Sequence, residues 1–569
     1  MSADTPIPTT RFPWWIVAGG ILLALVYLPT LAAPFDFIDD GNLVYPVPEP
    51  TLAGQVAVWW DRVAANVDHL GPFRPVLLAH WQLQSNLLDA DPLAWRAVRL
   101  GWCALAAVML LWLLRELKAH PVAAVVAAAA AMWNPYRNEI WTSLTLAEGV
   151  AMPYAMLALI ASRKAADSGR PWRWDAAAIL GLLFALGCKN VFVALLPAMA
   201  VLRWSNGFRW RAAVYLLPVV LPVAHFIYFK MNWKPGNYEM AGPTWGQVGR
   251  FWLWMKGAAG ADFLGAGVAL VLGCMWWFRR SEPEASATVL PRGPSPKLPA
   301  PILAALALLL AGFAVYLPMD IMSPRYTMPA VWGADILLAL LLTRFLAIPD
   351  GRATRVAWAG LAVGLLITVV ASVGRQDKLA ARSRLLWEVV EHLEKTAPTG
   401  EAVAWVGGDS STGELNVEEG IHVAWHLQHR NRGDIRIGLF DAAGAAVKRV
   451  ELPPLELPPR LRITGGAAGD PAAWEVSRTF AQAYRLGRKR FECRLEAAKP
   501  QAPTVSHLPL MPTTLPADGQ GFALDPFTAT FMKEAFGDPG RESETLLKLR
   551  PKRPGVNGAA DLLIGPDGK

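Results

Sequence analysis

Long apolar runs separated by short polar connections fill the first two thirds of the 569-residue chain. A helix needs about twenty apolar residues to cross a bilayer, and most of these runs approach that length. The fifth and sixth runs are short and nearly contiguous, so one tight hairpin remains an alternative to two spans there. The pattern predicts an all-α polytopic membrane domain with about eleven spans, at residues 14–33, 95–114, 120–134, 146–162, 175–188, 190–203, 212–230, 257–278, 301–318, 328–346 and 356–373.

The connection after the first span, residues 34–94, is too long to serve only as a link. Within it, Gln55 to Asp68 and Phe73 to Leu88 place apolar residues at helical spacing, and their tryptophans suit a membrane interface. We therefore predict two helices along the membrane surface in this first loop. The first span itself is long for the core of a signal peptide, so we expect it to remain as an anchor.

From about Gly374 onwards the chain becomes distinctly more polar, which predicts a second, soluble domain of α/β or α+β class. Its first elements are a helix from Lys378 to Lys395 and a β-α-β unit. That unit consists of strands 402–406 and 434–440 around a helix at 415–428, and further strands are predicted at 446–452 and 460–464. The domains are thus residues 1–373, 374–540 and a loosely ordered tail at 541–569.

Three histidines in the predicted helix of this β-α-β unit, His422, His426 and His429, follow each other at helical spacing. This spacing is compatible with a zinc site, but histidines on one face of a surface helix are the more common reason for it. We therefore interpret them as a surface face of the soluble domain.

The composition agrees with a membrane protein, because 54% of the residues are hydrophobic and only 18% are charged, against about 25% charged in soluble domains. The net charge of +8 does not indicate nucleic-acid binding, since the basic residues concentrate in alternate short connections. Such residues lie on the cytoplasmic side. We predict a multi-pass inner (plasma) membrane protein with its N-terminus in the cytoplasm. Its first loop and C-terminal domain then face the periplasm, although one miscounted span would move that domain.

Charged residues accumulate at the predicted outer ends of the spans. They are Asp36, Asp39 and Asp40 after the first span, Arg74 in the first loop, Arg96 and Arg99 at the start of the second span, Arg137, Glu139 and Glu148 around the third connection, Lys189 in a very short turn, and Arg325 before the tenth span. A carboxylate can deprotonate a hydroxyl, and Arg and Lys bind phosphate. For Arg96, Arg99 and Arg137, anchoring to lipid headgroups is an equal alternative. The short turns of Lys189 and Arg325 favour a functional role.

These residues, in this order, resemble polytopic glycosyltransferases of the GT-C class, and in particular protein O-mannosyltransferases of the tetratricopeptide-associated type. The resemblance covers roughly residues 14–345 and depends on the order of the motifs. The motifs are Asp39-Asp40, Arg74-Pro75 running to Asp91-Pro92, Asn134-Pro135 through Glu148, Cys188-Lys189-Asn190 followed by Pro197, and Arg325-Tyr326 with Pro329.

The resemblance implies transfer of a sugar from a polyprenyl-phosphate carrier to an acceptor hydroxyl of a protein, glycan or lipid. Asp39 or Asp40 would be the base, and Lys189 and Arg325, with Arg74 and Tyr326, would hold the lipid phosphate. Asp36, Arg96, Arg99, Arg137, Glu139 and Glu148 are further candidates for the walls of the site. Single displacement would invert the anomeric carbon. The motifs point to no cofactor and leave a divalent metal open without indicating ligands for it.

The chain departs from this family in three places. Asn190 stands where the family has an acid, Leu146 where it has an arginine, and the C-terminal part shows no 34-residue period of a tetratricopeptide array. An O-antigen ligase or polymerase also uses polyprenyl carriers, but its large outer loop comes late in the chain. A transporter of lipid-linked sugar is less favoured because the charges lie at the outer margin and no internal repeat is present. An inactive assembly factor is the least favoured alternative.

Overall fold

The computed structural model describes most of the chain up to residue 440 and short strands beyond it. Asp39 lies outside the described residues, as does nearly all of the predicted link at 281–299. Most residues of the predicted spans 212–230 and 257–278 also lie outside them. The described residues are 13–37, 40–41, 43–47, 49–67, 73–205, 215, 218, 220, 224, 245–260, 299–317, 324–346, 352–396, 402–406, 417–432, 436–440, 446–448, 461–465, 473–475, 493–497, 506–509 and 561–564.

The described part is mostly helical. Its helices are α1 (Trp14–Ala24), α2 (Leu52–Ala65), α3 (Pro75–Leu88), α4 (Pro92–Glu116), α5 (Pro121–Met132), α6 (Glu139–Thr142), α7 (Ala147–Asp167), α8 (Pro171–Cys188), α9 (Leu195–Arg203), α10 (Trp245–Ala258), α11 (Ala300–Tyr316), α12 (Ala330–Leu346), α13 (Arg352–Thr396) and α14 (Val417–Leu427). Short 3₁₀ segments follow α1 at Leu25–Ala32, precede α9 at Asn190–Ala194 and precede α12 at Pro324–Thr327.

Local sequence explains where several of these helices begin. Proline occupies the first position of α3, α4, α5 and α8, where its missing N–H breaks no helical hydrogen bond. At the start of α4, the Asp91 carboxylate accepts a hydrogen bond from the backbone N–H of Leu93 at 2.9 Å. Helices α2 and α3 lie in the first loop, and their ends are within three residues of those that the apolar spacing predicts.

Among the described residues, three helical stretches are long and apolar enough to cross a membrane: Trp14–Ala32, Pro92–Glu116 and Trp358–Lys395. Shorter apolar helices occur at Pro121–Met132, Asn190–Arg203 and Ala300–Tyr316. The long stretches cover the first, second and last predicted spans. The short ones agree with the third, sixth and ninth.

Small residues allow the membrane helices to approach one another closely. A Cβ atom added at Gly181 of α8 would lie 2.8 Å from the backbone oxygen of Tyr154 in α7. One added at Gly333 of α12 would lie 2.5 Å from the backbone oxygen of Ala305 in α11. Close backbone packing at small residues is the usual way in which helices associate where lipid removes the hydrophobic driving force. The buried residues of α4, α5 and α7 are correspondingly rich in alanine.

The last predicted span and the first predicted helix of the soluble domain form one continuous helix. Helix α13 extends from Arg352 to Thr396 and passes without a break through residue 373, where the change in polarity suggested a domain boundary. Apolar residues of its second half, such as Leu386 and Val390, are fully buried. The apolar first half of α13 therefore continues directly, as the same helix, into the segment that precedes the strands.

The strands that follow α13 form a six-stranded and a two-stranded sheet within the described residues. β1 pairs in parallel with β2 and β4, and α14 connects β1 to β2, as the predicted β-α-β unit requires. The six strands lie in the order β3-β2-β1-β4-β6-β5. The strands are β1 (Ala402–Val406), β2 (Arg436–Phe440), β3 (Ala446–Lys448), β4 (Leu461–Gly465), β5 (Ala473–Glu475), β6 (Cys493–Ala497), β7 (Ser506–Pro509) and β8 (Asp561–Ile564).

Candidate functional site

Three cations from separate turns of the chain lie around one pair of tyrosines. Lys189 Nζ is 4.8 Å from the centre of the Tyr326 ring, and Arg325 Cζ is 5.4 Å from it. Tyr316 packs against Tyr326 with ring centres 5.7 Å apart, and it lies within electrostatic range of both Arg325 and Arg74. We refer to Arg74, Lys189 and Arg325 as the cation cluster.

Each residue of the cation cluster lies at the end of a helical segment, which explains how distant parts of the sequence meet. Arg74 directly precedes α3, and Lys189 directly follows α8 in an extended conformation. Arg325 lies in the 3₁₀ turn before α12. The packing of Gly187 of α8 against Val76 of α3 brings the first two ends together.

Two carboxylates partly neutralise the cation cluster. Glu148, in the first turn of α7, forms a buried ion pair with Lys189. Glu139 accepts a hydrogen bond from Arg325 Nη1 at 2.8 Å. The Nε atom of Arg74 is buried and has no hydrogen-bond acceptor among the described residues. Three cations and two anions leave a net charge of +1, which suits a phosphate group.

Two buried aspartates lie just after the first span, and we call them the acidic pair: Asp36 and Asp40, exposed by 3% and 0%. Asp36 Oδ2 accepts a hydrogen bond from Leu144 N at 3.0 Å, and Asp40 Oδ2 accepts one from Phe37 N at 2.9 Å. Burial raises the pKa of Asp36 to about 7, and the neighbouring Asp40 also raises it, while Arg96 lowers it. Burial raises the pKa of Asp40 as well.

A cavity of about 120 Å³ adjoins the acidic pair. Its wall includes Asp36 but not Asp40, and it also includes Glu139, the partner of Arg325. Through Glu139 the cavity wall is in contact with one member of the cation cluster. Its lining residues are Asp36, Asn138, Glu139, Thr142, Ser143, Arg375 and Leu379.

The expectation of a surface histidine face is wrong for two of the three histidines. His422 is 5% exposed and His426 is fully buried, because α14 packs against the first loop. His426 Nδ1 lies 2.9 Å from the Tyr45 hydroxyl, and His426 Nε2 lies 3.6 Å from Asp40 Oδ1. His429 is exposed, and its ring stacks on that of Tyr45. The first loop and this C-terminal helix are thus on the same side of the molecule.

Arg96 and Arg99 lie near the acidic pair, but their guanidinium groups are used to hold the backbone. Arg96 donates to the carbonyls of Pro34 and Thr142, and Arg99 donates to that of Leu146 at 3.0 Å. Both side chains are buried, at 1% and 4% exposure, so neither is placed to anchor to lipid headgroups. They connect the residues around Asp36 to the polar segment that carries Glu139 and Glu148.

Arg137 is also buried, in a bidentate ion pair with a residue that the sequence pattern does not single out. Its Nη1 and Nη2 atoms lie 2.6 and 2.8 Å from the two carboxylate oxygens of Asp335 in α12. Its Nε donates to the carbonyl of Ala258 at 2.6 Å. The pair joins the polar segment after α5 to α10 and α12.

We expect Asp335→Asn to destabilise the protein by about 3–5 kcal/mol, since breaking a buried ion pair leaves Arg137 charged and unpaired. Thermal unfolding in detergent measures this loss. The double variant Arg137→Leu, Asp335→Leu removes both charges and should recover most of the stability. Equal melting temperatures for wild type and Asp335→Asn would contradict the pairing.

Sequence reasoning missed three residues of this region, Tyr316, Asp335 and Arg375, and it placed a fourth, His426, on the surface. A single acid within an apolar run was a usable signal for Asp335, and a basic residue just after the last run was one for Arg375. Asp39 lies outside the described residues, so its predicted role as a base stays a prediction.

No protein-family model matches this sequence, and no curated protein matches it significantly. Among solved structures, the chain is similar to that of ArnT from Cupriavidus metallidurans bound to undecaprenyl phosphate. The TM-score is 0.44 and the sequence identity is 12%, with 86% of this chain and 99% of that chain covered.

Proposed function

We propose that this protein is a membrane glycosyltransferase of the GT-C class that moves a sugar from a polyprenyl-phosphate carrier to an acceptor hydroxyl. One observation carries the proposal: Glu139 lines the cavity beside Asp36 and also binds Arg325 of the cation cluster. A single side chain thus joins the surroundings of the acidic pair to the cation cluster. The motif order along the chain supports the same reaction.

On the donor side, the cation cluster binds the phosphate of the carrier. Arg74 supplies a guanidinium whose Nε has no acceptor among the described residues, and Lys189 and Arg325 supply two further positive charges. Developing negative charge on the departing phosphate strengthens these contacts in the transition state, and only such strengthening accelerates the chemical step. The Tyr326 ring contacts both Lys189 and Arg325 and holds them in place.

On the acceptor side, Asp36 is the described acid best placed to act as base. It lines the cavity, and its Oδ1 has no hydrogen-bond donor among the described residues. Asp40 is fully buried and does not reach the cavity wall, so we assign it a supporting role instead of the role of base that the motif suggested. Asp39 remains a candidate because its sequence motif still points to it.

The reaction is a single displacement. The acceptor oxygen forms a bond to the anomeric carbon, while the bond from that carbon to the phosphate oxygen breaks and leaves its electron pair on the phosphate. The hydroxyl proton passes to the Asp36 carboxylate. The products are the glycosylated acceptor, with inverted configuration, and the free polyprenyl phosphate held by the cation cluster.

The contact between Tyr45 and His426 supports the predicted topology. The first loop and α14 touch, so they lie on the same side of the bilayer, which requires an odd number of spans between the cytoplasmic N-terminus and α14. The distribution of Lys and Arg favours the periplasm as that side. The acceptor is therefore expected in the periplasm.

The test uses purified protein in lipid nanodiscs with undecaprenyl-phosphate mannose or glucose, each labelled in the sugar. Membranes of cells that lack the protein supply the acceptors. We expect release of undecaprenyl phosphate together with transfer of label from the carrier to a protein, glycan or other lipid. Release no greater than that of boiled protein with both sugars would overturn the proposal. If the protein were a transporter, the labelled sugar would cross the membrane of a proteoliposome while still attached to its lipid carrier.

A further inference from the structure

Helix α14 from the C-terminal part of the chain is inserted against the acidic pair. Besides Tyr45, the His426 ring packs against three aromatic rings, with centroid distances of 5.0 Å to Phe35, 5.0 Å to Phe37 and 5.4 Å to Trp387. Two of these rings flank Asp36 in the sequence, and the third belongs to α13. The imidazole is therefore held at a fixed position next to the acidic pair.

The hydrogen bond at Nδ1 determines which atom of this imidazole carries its proton. Tyr45 O–H lies 2.9 Å from Nδ1 and can donate to it, which leaves the proton of the neutral ring on Nε2. Burial lowers the pKa of His426 to about 3, so the ring is neutral at neutral pH. Its Nε2–H then faces Asp40.

Two buried polar atoms face each other here, and apart from the interaction of the Asp40 carboxylate with that of Asp36, neither has another hydrogen-bond partner among the described residues. They are His426 Nε2 and Asp40 Oδ1, at 3.6 Å, and both side chains are 0% exposed. A shift of about 0.5 Å brings them to hydrogen-bonding distance. Because buried polar atoms in native proteins are nearly always satisfied, the mutual orientation identifies them as partners.

The other charged and titratable groups near Asp40 come from three elements. Asp36 lies beside it in the first loop, and Arg96 of α4 lies within electrostatic range of both acids. His422 Nδ1 of α14 is 4.0 Å from Asp40 Oδ1. Arg430, after α14, acts electrostatically on His426 and is bound by Glu394 of α13.

We propose that His426, oriented by Tyr45, is a positioning residue that keeps Asp40 ionised and thereby leaves the shared proton of the acidic pair on Asp36. The inference rests on the proposed function and extends it by making the C-terminal helix a part of the site. With Asp40 ionised, Asp36 accepts a proton more strongly than a lone carboxylate does. The C-terminal chain thus adjusts the strength of the base without touching the substrate.

The test compares His426→Leu, His426→Gln and Glu394→Gln. Leucine removes the donor to Asp40, and the Gln side chain retains an N–H donor of similar reach. Glu394→Gln weakens the attachment of α14 through Arg430 without changing any residue in contact with the acidic pair. It is the control for a purely structural effect. The readouts are the pH dependence of kcat and an infrared titration of the protonated carboxyl groups.

We expect His426→Leu to let Asp40 take the proton, so that Asp36 ionises at lower pH. The midpoint of the pH profile of kcat falls by about one unit or more. The value of kcat falls by at least about 10-fold, which is less than the loss expected from removing the base itself. KM for the lipid donor stays unchanged. His426→Gln restores the midpoint, and Glu394→Gln leaves it where it is in the wild type.

The infrared titration separates this inference from the proposed function. In wild type, the carboxyl group that titrates near pH 7 should be lost on Asp36→Asn, whereas in the His426→Leu protein it should be lost on Asp40→Asn; this supports the inference even in a protein that transfers no sugar. A proton that stays on Asp36 in His426→Leu overturns it. So does a Zn²⁺ or Mn²⁺ ion that purified wild type retains and His426→Leu loses, because the facing atoms are then metal ligands; the described residues contain no cluster of three or more suited to a metal.

Discussion

Lys189→Met is expected to reduce sugar transfer by about 10²- to 10³-fold, the usual cost of removing one group that stabilises developing charge. The lysine lies in the cation cluster, where its charge faces the position proposed for the departing phosphate. The expected signature is a fall in kcat larger than the rise in KM. Release of labelled polyprenyl phosphate measures both constants.

The same substitution leaves Glu148 buried without its partner, which destabilises the protein independently of catalysis. The double variant Lys189→Met, Glu148→Gln removes that buried charge and should melt close to the wild type while staying inactive. Lys164 provides a matched control, because it forms an ion pair with Glu116 at the opposite end of α7. Lys164→Met should retain activity. Full activity in the double variant would show that the cation cluster does not bind the phosphate.

Sequence reasoning singled out Lys189 and Arg325 because each interrupts an apolar environment, and Arg74 through the motif that it shares with the family. Lys189 lies in a turn with almost no polar neighbours, and Arg325 stands alone before a late span. A charge in such a place is costly unless it is paired or used, so it stands out from the pattern. Their convergence could not be predicted from spacing alone, since it depends on how α3, α8 and α12 pack.

For the acids after the first span, our proposal ranks the residues differently from the sequence motif. The motif drew attention to Asp39 and Asp40, and Asp36 entered only as a possible wall residue. The backbone after the first span turns sharply at Phe37, which has a φ of 55°. Asp36, just before this residue, lines the cavity, whereas Asp40 lies beside His426 of α14. A single positive φ at a phenylalanine is not encoded in any period of apolar residues.

The histidines show the same difficulty at longer range. Positions 422 and 426 have the spacing of one helical face, which was predicted, but a spacing does not say what covers the face. The covering surface is the first loop, 381 residues away along the chain at the Tyr45–His426 contact. The membrane domain in the described residues was more predictable, because its helices follow directly from apolar length.

Asp36→Asn is expected to lower transfer by about 10²- to 10⁴-fold, because an amide cannot accept the acceptor's proton. Wild-type kcat should rise with pH through a midpoint near the Asp36 pKa of about 7, since only the ionised carboxylate is a base. The variant should lose this rise. Asp40→Asn should keep a substantial residual activity with a midpoint at lower pH, as its carboxylate only supports Asp36.

Stability gives a second readout of the same group. The pKa of Asp36 is raised on folding from 3.8 to about 7, so the folded state holds the proton more tightly than the unfolded state. Its contribution is therefore present below pH 3.8 and is lost as the pH rises towards 7. Thermal unfolding at pH 5 and pH 8 should show a smaller decline for Asp36→Asn than for wild type. If stability behaves this way but only Asp39→Asn abolishes transfer, Asp36 belongs to the cavity wall and Asp39 is the base.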